Sequence, residues 1–166
     1  MKHARLSLRC LRLAIVGIAS SIVFPLGACA AGPSQADAHS GCRFEPPASW
    51  NFTVIRWSGP CSADGVADGR GVLRGYADGR VAETFFGELR RGYLSIGVIE
   101  TESGYIAGKF VEGRLFQDQE RRDVIAAFEI AAKAAQQMSE MYWRNGNTTS
   151  SGYYARKARG FREQMD

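Results

Sequence analysis

The stretch Trp57–Leu73, WSGPCSADGVADGRGVL, carries four glycines and one cysteine in seventeen residues. Three readings compete for it: a phosphate-cradling loop, a metal knuckle, or the backbone frame of a repeat. A dinucleotide loop needs a buried strand before it, a helix after it and an acidic residue about 20 positions on. Gly69-x-Gly71 followed by Gly75 has the wrong spacing, and another strand pattern follows it. A zinc knuckle needs four ligands, and Cys42 and Cys61 stand 19 positions apart with no CxxC pair. The repeat reading fits. The unit apolar-x-Gly-x-apolar recurs at Trp57–Cys61, Phe85–Leu89 and Ile106–Phe110, and each is followed by a glycine turn, at Gly65, Gly92 and Gly113. Gly87 to Gly108 and Gly92 to Gly113 both span 21 positions, whereas Gly59 to Gly87 spans 28. Glycines on a repeating frame are structural: inside a strand they mark close approach of a neighbouring group.

Outward from that stretch, Cys42 to Phe116 consists of short β-branched and aromatic runs. They are broken at Asp64-Gly65, Asp68-Gly69, Asp78-Gly79, Gly92, Ser103-Gly104 and Glu112-Gly113. Asp-Gly between apolar runs favours a tight hairpin, because both turn positions need positive φ. An antiparallel meander is expected. From Gln117 onward glycine gives way to alanine. Asp118–Arg144 is predicted as one helix capped by Asp118 and stopped at Asn145-Gly146. Its apolar face is Val124, Phe128, Ala131, Ala135, Met138 and Tyr142, at spacings of four and three. The polar run Asn147–Gly152 is predicted to break the chain before a second helix with Tyr154, Ala158, Phe161 and Met165 on one face. The expected class is therefore α+β: an antiparallel β-hairpin repeat meander over 42–116, then a C-terminal helical hairpin over 117–166.

The glycine frame resembles the MORN repeat, whose units run aromatic-x-Gly-x-aromatic, a glycine turn, small-x-Gly-x-apolar and an acidic-Gly turn. WSGPCSADGVADGRGVLRGYADGR matches one unit, including the Tyr76–Gly79 turn. VAETFFGELRRGYLSIGVIETESGY matches a second, and IAGKFVEG begins a third. The likeness covers about 60 of 166 residues. Phe85 and Ile106 stand where the family often has tyrosine, and Tyr93–Ile96 lacks the usual histidine-glycine. The resemblance implies a non-catalytic binding or scaffolding role near a membrane or a protein partner. On this reading the contact surface is Tyr76, Phe85, Tyr105 and Phe110, taken as exposed aromatics over the glycines. A short array needs caps at its ends. The cysteine pair with Trp50 or Trp57 is expected at one end, and the long helix, laid across the last hairpin, at the other.

The beginning of the chain reads as an export signal. Lys2, Arg5, Arg9 and Arg12 precede the apolar run Leu13–Phe24, which is too short for the roughly 20 residues of a membrane span. Leu26–Cys29 (LGAC) resembles a lipobox that would lipidate Cys29; Ala28–Ala30 equally suits ordinary signal cleavage. The expected location is the cell envelope, as a lipoprotein on the periplasmic side of the outer membrane, with a soluble periplasmic or secreted form as the alternative. Residues 29–41 read as a flexible tether, and His39 as a solvated linker residue. Either route removes Cys10 with the signal and leaves Cys42 and Cys61, most simply a disulfide. Closing that loop would contribute roughly 3 kcal/mol.

Four of the 21 basic residues lie in residues 1–28, which hold no acidic ones, so the remainder balances at 17 against 17. The sequence pI of about 9.0 thus reports the signal, and no nucleic-acid partner follows from it. No cofactor, metal site or catalytic residue is expected. Glu100 and Glu102 could share a strand face, but a solvated face is the commoner meaning of such a pair. The cluster Arg156, Lys157, Arg159 and Arg162 reads as a solvated helix surface, with lipid phosphates as the alternative. The expected partner is an envelope protein, with the membrane reached through the lipid. Self-assembly through the Val124–Tyr142 seam is the alternative function.

Overall fold

The computed structural model describes residues 34–166; the expected export signal and Cys29 lie outside the described residues. Six strands form one antiparallel meander in chain order. They are β3 (Val54–Ser58), β4 (Gly69–Ala77), β5 (Arg80–Arg90), β6 (Tyr93–Thr101), β7 (Gly104–Val111) and β8 (Arg114–Leu115). Two short strands, β1 (Gln35–Ala36) and β2 (Arg43–Phe44), form a separate pair. Helices α1 (Arg121–Arg144) and α2 (Thr148–Glu163) follow as a hairpin. The α+β class and its order are as expected.

Turn chemistry closes the hairpins. Asp78-Gly79, Arg91-Gly92 and Glu112-Gly113 each place two successive residues at φ between 49° and 86°. Two-residue loops of that kind match the right-handed twist of the strands they join. The β3–β4 connection is longer, and within it Cys61 bridges Ala67. Most of the extra length of the first interval lies in the next hairpin, since Gly71 to Gly87 spans 16 positions where Gly97 to Gly108 spans 11. Cys42 and Cys61 are joined, with Sγ atoms 2.04 Å apart.

The repeat glycines line up across the sheet. Gly71 pairs with Gly87, Gly87 with Gly97, and Gly97 with Gly108. Two residues along, Trp57, Leu73, Phe85, Ile99 and Ile106 form a parallel row on the same face. A Cβ on Gly71 would lie 2.6 Å from the Trp57 ring, and one on Gly97 would lie 2.7 Å from the Phe85 ring. The aromatic of one strand therefore lies over the glycine of the next, as the repeat predicts. In the third unit Ile106 has no large ring to offer, and the Gln119 side chain lies over Gly108 instead, 2.6 Å from the Cβ position.

Both faces of the sheet are covered, and here the structure corrects the sequence reading. On one face Trp57, Leu73, Phe85, Leu89, Leu94, Ile99 and Phe110 pack with Cys42, Phe44 and Trp50. Residues 34–41, expected as part of the tether, are ordered into the β1–β2 pair, with Asp37 buried in the turn and accepting from Ser40 N–H at 2.6 Å. Beyond it the chain crosses the hairpin ends. Arg43, Glu45 and Ala48 N–H groups donate to the carbonyls of Gly65, Gly92 and Gly113, at 2.9, 2.8 and 3.0 Å. Those acceptors are the turn glycines of the three repeat units. The N-terminal segment is thus a strap laid along the array, covering a face where an end cap was expected.

The opposite face carries Val72, Phe86 and Val98, which pack against Phe128, Ala131, Ala132, Ala135 and Met138 of α1 and Tyr154, Ala158 and Phe161 of α2. Helix α1 crosses β4 through β7, so it too covers a face, where a cap on the last hairpin was expected. Its alanines let its backbone approach the sheet and α2 closely. The helix starts at Arg121 behind Glu120, three residues later than Asp118 predicts. The Gln119 amide accepts from Lys109 N–H and donates to Lys109 C=O, at 3.1 and 2.9 Å, which holds the chain on the β7 edge through residue 119. Gly146 ends α1 at φ 75°, as expected. The run 147–152, predicted as a break, instead opens α2: Asn147 Oδ1 accepts from Ser150 N–H at 3.0 Å.

Candidate functional site

The four residues expected as an exposed contact surface divide into two pairs. Phe85 and Phe110 are 0% and 6% exposed and meet edge to face at 5.7 Å. They are core residues beneath the strap, and the expectation of an exposed aromatic pair there is wrong. Tyr76 is half-buried, with the Arg56 guanidinium 5.9 Å from its ring centre. Tyr105 is 41% exposed and rests its ring against Phe128 and Phe161, at 5.8 and 5.6 Å.

Register brings together groups that the sequence reading had kept apart. Arg74 pairs with Thr84, Thr84 with Glu100, and Glu100 with Tyr105. At period two these share the helix side of the sheet with Val72, Phe86, Val98 and Ala107. The face therefore passes from an apolar row to a polar row within one residue pair, and α2 lies across the boundary. Lys157 of α2 bonds the Glu100 carboxylate and stands 5.5 Å from the Tyr153 ring centre. Burial works against the charge on Lys157, but Glu100 and the neighbouring tyrosines hold its pKa above the ordinary value. Glu102 lies in the turn after β6, off that strand face, so the two carboxylates do not form a pair. Arg156, Arg159 and Arg162 are exposed on α2.

Two depressions flank this row. One, about 380 Å³, is lined by Arg74, Val81, Thr84, Phe86, Tyr142, Thr149, Ser150, Tyr153 and Tyr154. The other, about 250 Å³, is lined by Tyr105, Tyr153, Arg156, Lys157 and Gly160. In the first, Arg74 Nη2 donates to Ser58 Oγ at 2.6 Å, while Arg74 Nε is buried without a partner. Desolvation opposes the charge on Arg74, yet the phenols of Tyr154, Tyr76 and Tyr142 around it leave its pKa raised. Tyr142 and Tyr154 stack at 5.5 Å. Burial pushes the Tyr154 hydroxyl up to about 12, against the pull of Arg74, so it is a neutral donor at physiological pH. A cation inside the two-face-buried strand Val72–Gly75 was the sequence signal for this site. Among the described residues no group of three or more His, Cys, Asp or Glu side chains is placed to hold a metal ion.

No family model matches the chain, and comparison with curated proteins and with solved structures finds no match.

Proposed function

We infer that this protein is a non-catalytic binding or scaffolding module of the cell envelope, built on MORN-like repeats. On this reading it is exported and anchored through a lipidated Cys29, with the repeat domain held close to the membrane. The observation that carries the reading is the surface around Tyr105 and Tyr153. The sheet spends its large residues on its own two cores, yet these two tyrosines stay 41% and 42% exposed beside Arg156 and Lys157. Tyrosine and arginine around a shallow depression are the composition of protein contact sites, where rigid rings supply area at little entropic cost. The Cys42–Cys61 bond agrees with an oxidising compartment such as the periplasm.

Against self-assembly through the Val124–Tyr142 seam stands the burial of Phe128, Ala131, Ala135 and Met138 in the core shared with the sheet and α2. The test is co-purification from the native membrane fraction with wild type and with the double variant Tyr153→Ala, Arg156→Glu. The scaffold reading expects a partner that wild type retains and the variant loses with its circular dichroism unchanged. Identical partner sets for the two proteins would refute this surface.

A further inference from the structure

The 380 Å³ cleft over Arg74 adjoins the contact surface just described and shares Tyr153 with it. Its lining has one cation, three tyrosines, a phenylalanine, a valine and three small hydroxyl residues, and no carboxylate. Among the described residues no acidic side chain lies within ion-pair distance of Arg74, although its guanidinium is half-buried. A buried cation is ordinarily paired, because desolvating an unpaired one is costly. Elsewhere on this face Lys157 has Glu100 and Lys109 has Asp123, while Arg56, directly across from Arg74, is exposed and lies over the Tyr76 ring. Arg74 instead has a neutral hydroxyl, Ser58 Oγ, and phenols.

The rest of the wall has the same polarity. Thr149 and Ser150 are in the first turn of α2, the positive end of a 16-residue helix. Tyr142 and Tyr153 offer ring surface, backed by the buried Phe86 and Tyr154, and Val81 adds an exposed aliphatic rim. A volume of about 380 Å³ falls in the range of small-molecule sites.

We propose that this cleft binds a small organic carboxylate, its charged group on Arg74 and the Thr149 and Ser150 hydroxyls and its apolar or aromatic body against the Tyr142 and Tyr153 rings. A carboxylate matches the guanidinium fork, with charge-assisted bonds about twice as strong as neutral ones. The rings select for a body beyond the bare anion, through edge and face contacts.

Benzoate is the probe, with benzamide as its neutral isostere and inorganic phosphate as the bare anion. Each is titrated into the full, disulfide-bonded chain, and the backbone amides of Thr149 and Ser150 and the Arg74 Nε–H are followed by NMR. Benzoate is expected to shift these signals saturably, and benzamide and phosphate to bind at least about tenfold more weakly. Arg74→Gln should weaken benzoate by about tenfold or more. Because that change could disturb the core, Ser150→Glu is the second variant. Glu three residues after the Asn147 cap favours the helix start, so Ser150→Glu should fold normally and still repel benzoate. Benzamide or phosphate binding as well as benzoate, no saturable shift at these groups, or unchanged affinity in a folded Ser150→Glu protein would each overturn the proposal.

Discussion

Phe85 and Phe86 are neighbours in β5, both fully buried, and they belong to different cores. Phe85 faces the strap, where rings lie over glycines and the cover is irregular chain held by a disulfide and by backbone bonds to turn carbonyls. Phe86 faces the helices, where the cover is regular and alanine-rich. The contrast separates two ways of burying one sheet. The strap brings Phe44 and Trp50 to its core, and the sheet's own Trp57 and Phe85 fold along their strands over Gly59 and Gly87, which make room for them. On the helix side Phe128, Met138, Tyr154 and Phe161 stand among alanines over Val72, Phe86 and Val98, and among the described residues no ring of the sheet lies over a glycine there.

If both covers carry comparable weight, removing either ring should cost similarly. Phe85→Ala and Phe86→Ala are each expected to lower unfolding free energy by about 3–5 kcal/mol, read by chemical denaturation. Trp50 and Trp57 share the Phe85 core, so the red shift of tryptophan emission should be larger for Phe85→Ala. A small loss at Phe85 beside a large one at Phe86 would mean that the strap only shields the sheet, and the comparison of two equal cores would fail.

The glycines sharpen the same comparison at lower cost. A Cβ on Gly87 would stand 2.2 Å from the Phe85 ring and 2.5 Å from the Ile96 carbonyl oxygen, and the latter is backbone that cannot swing aside. Gly87→Ala should destabilise by about 1–3 kcal/mol through overpacking. Gly152, inside α2, meets nothing nearer than the Arg156 guanidinium at 3.5 Å. Gly152→Ala should therefore stabilise by about 0.5–1 kcal/mol, the usual helix preference for alanine. Thermal midpoints moving in opposite directions would support the view that strand glycines are fitted to rings and helix glycines are not. Tolerance of Gly87→Ala would remove the ring-over-glycine account.

The pattern of what was readable follows from the same physics. Hairpins were visible because turns at Asp78-Gly79 and Glu112-Gly113 announce their φ requirement in residue type. Helix faces were visible because spacing alone defines them. Phe85 and Phe110 were misread because glycine at period two suggested a bare, open face, whereas the adjacent apolar pair Phe85-Phe86 signals a strand covered on both sides. The strap left no signature, since Arg43, Glu45 and Ala48 hold the array through backbone N–H groups that any residue but proline provides. The Arg74 cleft depends on register between β4 and β5 and on where α2 lands. Neither is a local property, though a cation within Val72–Gly75 was the visible anomaly.

The two covers also differ in how they should respond to acid, and the smallest expected effect lies there. On the helix side Asp123, in the first turn of α1, forms an ion pair with Lys109 of β7 at 2.8 Å and accepts from Glu120 N–H at 3.4 Å. The Lys109 bond, against desolvation, holds its pKa below the ordinary 3.8. A carboxylate lowered in the folded state contributes stability that is present above its unfolded pKa and is lost as pH falls through the folded one. Denaturation free energy should thus be level above about pH 4 for this group and decline below it. Lys109→Met removes the main cause of the depression and should flatten that decline while leaving the Glu120 bond in place. Asp37 has its own lowered pKa, opposed by desolvation and produced by bonds from Ser40 and His39. It belongs to the strap's turn, so its share of the acid loss should survive Lys109→Met. An acid profile unchanged by Lys109→Met would place the loss on Asp37 of the strap and Glu129 of α1, and leave the β7–α1 pair without a measurable part in holding the helices down.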